Sequence, residues 1–216
     1  MKKVLLIGDS VRQGYDAYVK EKLVDVAEVV YPKENCMYAT NVLRFLHEWA
    51  SNLSVAEELD VIHWNTGLWD SLRMFGEEPL TPVNVYAELI TRIQKRIQRL
   101  FPHAISIFAT TSPVLEHHLW PEPDKLMLYN SEIEQYNAAA VQALAPFDVK
   151  INDLYGLLKD IPESYHSDPI HYYTPQATQL IGDAVCAHIL ASLGSAYVVD
   201  NKVCTEEHSP NVLVGI

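Results

Sequence analysis

The 216-residue sequence has little cysteine and a shortage of basic residues, and each shortage excludes a class of protein. Its three cysteines, Cys36, Cys186 and Cys204, are odd in number and far apart. They predict reduced thiols in a cytoplasmic protein rather than a disulfide framework or a zinc site. The 16 Lys and Arg residues stand against 28 Asp and Glu, which gives a formal net charge of −12. Such an acidic surface repels phosphate backbones and anionic membranes, so we expect no nucleic-acid or membrane partner.

Long apolar runs are also lacking. The first short run, residues 4–7, follows two lysines but is too short for the apolar region of a secretory signal. No stretch approaches the length needed to cross a bilayer, and no repeat, low-complexity tract or linker divides the chain. We therefore expect a single cytoplasmic domain over residues 1–216, with a core of about residues 3–194 and a tail of unknown role over residues 195–216.

Short apolar runs alternate with helical patterns along the chain. The runs predict strands at residues 3–8, 27–31, 61–65, 104–110 and 149–154. The helical patterns predict helices at residues 15–23, 40–51, 83–100, 130–144 and 175–193. Strands that are apolar at nearly every position, separated by helices, predict an α/β fold whose five-stranded sheet is mostly parallel and covered on both faces.

A serine stands where the first predicted strand ends, in the stretch "LLIGDSV". Parallel sheets bind ligands at the carboxyl ends of their strands. Ser10, the segments after Tyr31 and Asn65, and the loop after Thr110 all fall at that edge. Ser10 has two interpretations: it is the N-cap of the helix that follows, or it is a nucleophile that a base must activate. Its neighbour Asp9 is interpreted as structural.

The stretch "SYHSDPIHYYTP" can supply both a base and the carboxylate that orients it. Asp168 and His171 are three residues apart, just before the last predicted helix. On a turn that leads into a helix, this spacing can bring a carboxylate to the imidazole Nδ1 and leave Nε2 pointing at a serine. His166 is the weaker candidate for the base. The conjunction of the two stretches favours the nucleophile interpretation of Ser10.

Three motifs resemble sequence blocks of the SGNH/GDSL hydrolase superfamily. They are "IGDSV" at residues 7–11, "GLWD" at residues 67–70 and "DPIH" at residues 168–171, which resemble the first, third and fifth blocks. The G-x-S-x-G elbow of α/β-hydrolases is absent, because Arg12 occupies its last glycine position. The order of the motifs matches the superfamily over most of the chain.

The resemblance implies a flavodoxin-like, three-layer α/β/α sandwich. It also implies the activity of an esterase, a lipase or a carbohydrate acetylesterase, for which we expect no cofactor and no metal. By the same resemblance, Ser10 is the nucleophile, His171 the base and Asp168 its orienting carboxylate.

Two blocks depart from the superfamily's pattern, and the departures concern the oxyanion hole. The glycine whose backbone N–H usually donates in the second block is missing, since no glycine occurs between Gly14 and Gly67. The N–H of Cys36 or Met37 could serve instead. In the third block Gly67 is present, but Trp69 stands where an asparagine usually donates, and an indole N–H cannot copy amide geometry.

Asn65, at the end of the third predicted strand, is the nearest side-chain amide. Two interpretations stay open: Asn65 replaces the missing oxyanion donor, or it only satisfies backbone groups at a strand end. Trp69 and Trp120 lie in loops at the ligand edge, where they either form pocket walls or cover the domain's own core. His117 and His118 lie in the second of these loops and could contact a substrate.

The sequence thus predicts a serine esterase that hydrolyses a carboxylic ester through a Ser-His-Asp triad and an acyl-enzyme. We expect a small-molecule substrate, with a small acyl or acetyl group on a carbohydrate or another small molecule. A lipid substrate is less favoured, because no long apolar stretch suggests a channel for a lipid chain. Two alternatives stay open: a catalytically weak ligand-binding domain of the same fold, and an acyltransferase. The sequence does not indicate the oligomeric state.

Overall fold

A computed structural model describes residues 1–55, 58–119 and 126–194, and the backbone of residues 197–199 and 202–204. Its strands are β1 (Lys2–Ile7), β2 (Ala27–Val30), β3 (Val61–Trp64), β4 (Arg73–Met74), β5 (Ile105–Ala109), β6 (Leu126–Met127), β7 (Val149–Asn152), β8 (Tyr197–Val199) and β9 (Lys202–Cys204). Five of them form one parallel sheet in the order β2-β1-β3-β5-β7. The predicted parallel five-stranded sheet is confirmed, and each strand of that sheet lies close to its predicted position.

In the part of the chain that the structure describes, the five predicted helices are present, together with two short α-helices. The α-helices are α1 (Ser10–Gln13), α2 (Asp16–Lys22), α3 (Ala39–Asn52), α4 (Val83–Leu100), α5 (Asn130–Leu144), α6 (Leu154–Leu158) and α7 (Pro175–Ser192). Two 3-10 helices, Glu116–His118 and Glu163–Tyr165, lie in the loops before α5 and α7. The sequence did not predict α1 and α6, because helices of four and five residues are too short to show a periodic pattern.

The side chains of β1 show how the three layers are built. Successive residues of a strand point to opposite faces of the sheet. Val4 and Leu6 belong to the core cluster that also contains residues of α2 and α7. Leu5 and Ile7 belong to the cluster on the other face, with residues of α3, α4 and α5. All four are completely buried, so the predicted α/β/α sandwich is confirmed.

The sheet order places the ends of β1 and β3 at a topological switch point. β1 and β3 are neighbours, while β2 lies beyond β1 and β5 lies beyond β3. Ligands of open α/β sheets bind at such a point, outside the carboxyl ends of the strands. Ser10 follows β1 after Gly8 and Asp9, and Asn65 directly follows β3, so both lie at the edge where the sequence placed them.

Two further expectations from the sequence concern the cysteines and membrane-spanning helices. Cys36 and Cys186 are buried free thiols, and burial raises the pKa of the Cys36 thiol to about 11. Among the residues that the structure describes, none of the helices combines the length and the apolar character that a membrane span needs.

Candidate active site

Ser10 is the first residue of α1, and Asp9 is the N-cap of that helix. The Asp9 carboxylate accepts a hydrogen bond from the Val11 N–H at 2.9 Å and is almost fully buried. The interpretation of Ser10 as an N-cap is therefore wrong, because Asp9 has that role. The Ser10 hydroxyl is left available for another partner.

Three side chains from the two ends of the chain form one hydrogen-bonded series. The Ser10 Oγ lies 2.8 Å from Nε2 of His171. Nδ1 of the same ring lies 2.8 Å from Oδ2 of Asp168 and 3.0 Å from its Oδ1. A carboxylate at Nδ1 favours the tautomer whose Nε2 is unprotonated, and that nitrogen can accept the serine proton. The predicted grouping of Ser10, His171 and Asp168 is thus present in the fold.

The loop that carries this histidine is stabilised by its own polar groups. Oδ1 of Asp168 accepts hydrogen bonds from the backbone N–H groups of Ile170 and His171, each at 2.9 Å. Partial burial raises the pKa of the Asp168 carboxyl, but these two hydrogen bonds and the His171 ring outweigh it and hold the pKa below its usual value. The carboxyl is therefore ionised at neutral pH.

His166, the second candidate for the base, lies against a different partner. Its ring packs on Tyr172 with the ring centroids 4.2 Å apart, and burial lowers its pKa. The Tyr172 hydroxyl in turn donates to the carbonyl of Pro113 at 2.8 Å. The ring that faces Ser10 is that of His171.

Tyr173 contacts two members of this series, Ser10 and His171, and no sequence pattern predicted these contacts. Its ring stacks on His171 with centroids 4.8 Å apart and an interplanar angle of 21°. Its hydroxyl donates to the backbone carbonyl of Ser10 at 2.8 Å. Gly14 provides the space for the ring, because a Cβ at this position would lie 2.6 Å from the Tyr173 Cδ1. A tyrosine two residues after His171 belongs to none of the motifs, so only the fold shows the contact.

The two backbone donors suggested for the second block already have partners within the protein. The Cys36 N–H donates to the carbonyl of Gly8 at 3.1 Å, and the Met37 N–H donates to Oδ1 of Asn35 at 2.9 Å. Met37 has a φ of +53°, in the left-handed region that favours glycine. Met37 therefore has a backbone conformation that favours glycine, in the segment that was predicted to supply a backbone donor.

Gly67 in the third block is fixed by packing. It is buried with a φ of +141°, and a Cβ there would lie 2.5 Å from Oγ1 of Thr111 and 2.9 Å from the hydroxyl of Tyr86. Any larger side chain would displace these neighbours. A steric requirement thus explains the glycine without any contact to a ligand.

The last residue of the "GLWD" motif joins two loops of the ligand edge. Asp70 is completely buried, and its carboxylate accepts the backbone N–H of Ala39 at 3.0 Å and the Thr66 hydroxyl at 2.9 Å. It thereby holds the loop after β3 against the start of α3. The neighbouring Trp69 is half-buried and meets the ring of Tyr38 edge-on, with centroids 5.5 Å apart.

Asn65 forms hydrogen bonds with backbone groups at the ends of the strands, which is one of the two roles that the sequence left open. Its Nδ2 donates to the carbonyl of Ala109 at 2.8 Å, and its own N–H donates to the carbonyl of Ile7 at 3.0 Å. These contacts join the ends of β1, β3 and β5. A primary amide has two N–H groups, so one bond to Ala109 leaves the second available.

His63 lies in β3, within the core of the protein. His63 is completely buried, with Nε2 3.1 Å from Nδ2 of Asn152, and burial lowers its pKa to about 3. His63 is therefore a packed, hydrogen-bonded core residue. Trp120 lies outside the described residues.

Solved structures share this fold at low sequence identity. A lipase/acylhydrolase from Enterococcus faecalis matches with a TM-score of 0.68 and 16% identity, over 88% of this chain and 96% of that one. A carbohydrate esterase family 3 structure from Talaromyces cellulolyticus gives 0.67 and 15%, over 90% and 99%. An acetyl xylan esterase from Geobacillus stearothermophilus gives 0.63 and 15%, over 92% and 97%. No protein-family model and no curated protein matches the sequence.

Proposed function

We propose that this protein is a serine hydrolase of carboxylic esters. The observation that carries the proposal is the series Ser10–His171–Asp168, with 2.8 Å between Ser10 Oγ and His171 Nε2. It is the arrangement that an esterase needs to activate a serine. The likeness in fold to acylhydrolases and acetyl xylan esterases supports the same reaction class.

In the proposed mechanism the Ser10 oxygen attacks the ester carbonyl while His171 accepts the hydroxyl proton at Nε2. Asp168 orients the ring and stabilises the imidazolium that forms. The tetrahedral intermediate collapses to an acyl-enzyme as His171 returns the proton to the leaving alcohol. Water then attacks the acyl-enzyme by the same route, which releases the acid and restores Ser10.

The oxyanion requires donors beside Ser10, and the proposal assigns three. The first is the backbone N–H of Ser10 itself, at the start of α1. The second is the N–H of Met37, which exchanges its bond to Asn35 for one to the oxyanion; the left-handed conformation of Met37 supports this assignment. The third is the second N–H of the Asn65 amide. The Cys36 N–H is less suitable, because it donates to the carbonyl of Gly8.

We further propose a small acyl group, such as acetyl, on a carbohydrate. The triad is open to water, since the side chains of His171 and Asp168 are 24% and 45% exposed. The aromatic residues Tyr38, Trp69 and Tyr173 lie at this edge of the sheet and are suited to stacking on sugar rings. Neighbours in fold that are carbohydrate and acetyl xylan esterases agree with this substrate class.

The test compares p-nitrophenyl acetate turnover by the wild type and by Ser10→Ala, with Ser192→Ala as the control. The Ser192 hydroxyl bonds the His188 carbonyl within α7, so its removal should not change the rate. We expect Ser10→Ala to abolish turnover, and a fluorophosphonate to label the wild type but not this variant.

Equal turnover by the wild type and Ser10→Ala would overturn the proposal and favour the ligand-binding alternative. Acetylated xylo-oligosaccharides then test the substrate class against longer acyl esters. Added acceptor alcohols test the acyltransferase alternative, which predicts an acylated acceptor in place of free acid.

A further inference from the structure

Three side chains with metal-binding atoms meet at the ligand edge, apart from the triad. His117 Nε2 lies 2.9 Å from Oε1 of Glu163, and His118 Nε2 lies 3.2 Å from Oε2 of the same carboxylate. The possible ligand atoms of the three residues all lie within 4.8 Å of one another. Within the described part of the chain, no other group of three His, Cys, Asp or Glu side chains meets this condition.

We propose that His117, His118 and Glu163 bind a divalent transition-metal ion, with Zn²⁺ as the preferred occupant. Two imidazole nitrogens and one carboxylate oxygen form a donor set that Zn²⁺ commonly takes in proteins. Mg²⁺ and Ca²⁺ prefer oxygen ligands, so the two histidines disfavour them. The sequence did not show this site, because 45 residues separate His118 from Glu163 and no local spacing pattern joins them.

The three side chains can rearrange around an ion without disturbing the core. They are 64%, 50% and 59% exposed for His117, His118 and Glu163. The two imidazole rings already lie side by side, with centroids 4.2 Å apart. On binding, bonds of about 2.0–2.2 Å from the ligand atoms to the ion replace the contacts between histidines and carboxylate, and water fills the remaining position.

The position of the cluster gives the ion a cross-linking role. His117 and His118 lie in the 3-10 helix that follows β5, and Glu163 begins the 3-10 helix that leads to the Asp168 loop. Next to the cluster, the Leu115 N–H donates to the carbonyl of Pro169 at 2.8 Å. An ion held by these residues therefore joins the loop after β5 to the segment that positions Asp168, and binding stabilises the folded state.

Isothermal titration of the full-length, chelator-treated protein with ZnCl₂ tests the proposal. All proteins carry Cys204→Ser, so that this thiol does not compete for the metal. We expect one saturable site in this background. Glu163→Gln and His118→Ala should each weaken affinity by at least about tenfold, since even outer-shell changes cost that much. His103→Ala, at an exposed histidine outside the cluster, should bind as the background does.

A second readout separates metal binding from the hydrogen bonds that the cluster already makes. ZnCl₂ should raise the Tm of the background protein but not that of the double variant His117→Ala/His118→Ala. Two results would overturn the site: no saturable binding by the background protein, or equal affinity and equal Tm shift in the double variant. Both readouts are independent of esterase activity, so they separate this inference from the proposed function.

Discussion

The phenolic oxygen of Tyr173 lies 2.8 Å from the backbone carbonyl oxygen of Ser10, to which it donates a hydrogen bond. The ring of the same tyrosine stacks on His171. One side chain therefore contacts both the backbone that carries the proposed nucleophile and the imidazole of the proposed base. Tyr173 thereby ties the loop before α7 to the start of α1, and we expect it to act as a positioning residue.

Tyr173→Phe should lower kcat on p-nitrophenyl acetate by about two- to twelvefold, with little change in KM. The substitution keeps the ring stacking and removes one hydrogen bond, whose net value is about 0.5–1.5 kcal/mol. Tyr155→Phe is the matched control, because it removes a tyrosine hydroxyl that bonds Glu134 at 2.8 Å. Equal kcat values for the wild type and Tyr173→Phe would show that the hydrogen bond has no positioning role.

Gly14→Ala should impair the same arrangement by crowding the Tyr173 ring. Gly14 has ordinary helical angles, with φ of −73°, so the backbone accepts alanine, but the new Cβ would lie 2.6 Å from the Tyr173 Cδ1. We expect kcat to fall at least as far as in Tyr173→Phe. In the background Tyr173→Ala the clash is absent, so Gly14→Ala should have little further effect. Additive losses in this double-mutant cycle would contradict the steric explanation.

His63 should make the folded protein less stable as the pH falls. Burial lowers its pKa from the ordinary 6.5 to about 3, so between these values the unfolded chain binds a proton that the folded chain does not. The contribution of His63 is complete above pH 6.5 and is lost progressively down to about pH 3. Within this window it lowers the free energy of unfolding by up to about 1.4 kcal/mol per pH unit.

Urea unfolding between about pH 7 and pH 5 measures this slope. His63→Gln keeps a polar group near Asn152 but does not titrate, so its free energy of unfolding should decrease less steeply than that of the wild type. The comparison uses slopes, because the substitution also changes packing at every pH. Parallel dependences in the two proteins would contradict the lowered pKa.

The sequence predicted the layers of the fold because the core strands are apolar at nearly every position, as strands covered on both faces are. In β1 the residues Val4, Leu5, Leu6 and Ile7 are all apolar, and only a strand covered on both faces buries all four. The contact between Asp168 and His171 was equally predictable from their three-residue spacing, because a turn brings these positions together. Each of these features depends on residues that are neighbours along the chain.

The details of the site depend on long-range contacts, which no local pattern records. Tyr173 reaches the Ser10 carbonyl across 163 residues, and Glu163 reaches His118 across 45. Met37 adopts a left-handed backbone conformation that methionine ordinarily disfavours. The residue type therefore did not predict this conformation. Asp9 rather than Ser10 caps α1, although both residue types are common N-caps.

Asn65→Ala tests the assignment of the Asn65 amide as an oxyanion donor. If the second N–H of the Asn65 amide binds the oxyanion, its removal should lower kcat by about 10²–10³-fold, the usual loss for such a donor. Asn65→Ala also removes the bond to the Ala109 carbonyl, so stability should fall by about 1 kcal/mol. Urea unfolding of the variant separates this loss from the kinetic one.

Asn137→Ala is the matched control for this substitution. Asn137 is a buried asparagine whose amide bonds both backbone groups of Thr111, accepting from its N–H at 2.7 Å and donating to its carbonyl at 2.9 Å. Asn137→Ala should therefore lower stability without a comparable loss of kcat. If Asn65→Ala keeps kcat within a few-fold of the wild type while losing stability as the control does, Asn65 is a backbone support. The oxyanion donors would then be the N–H groups of Ser10 and Met37.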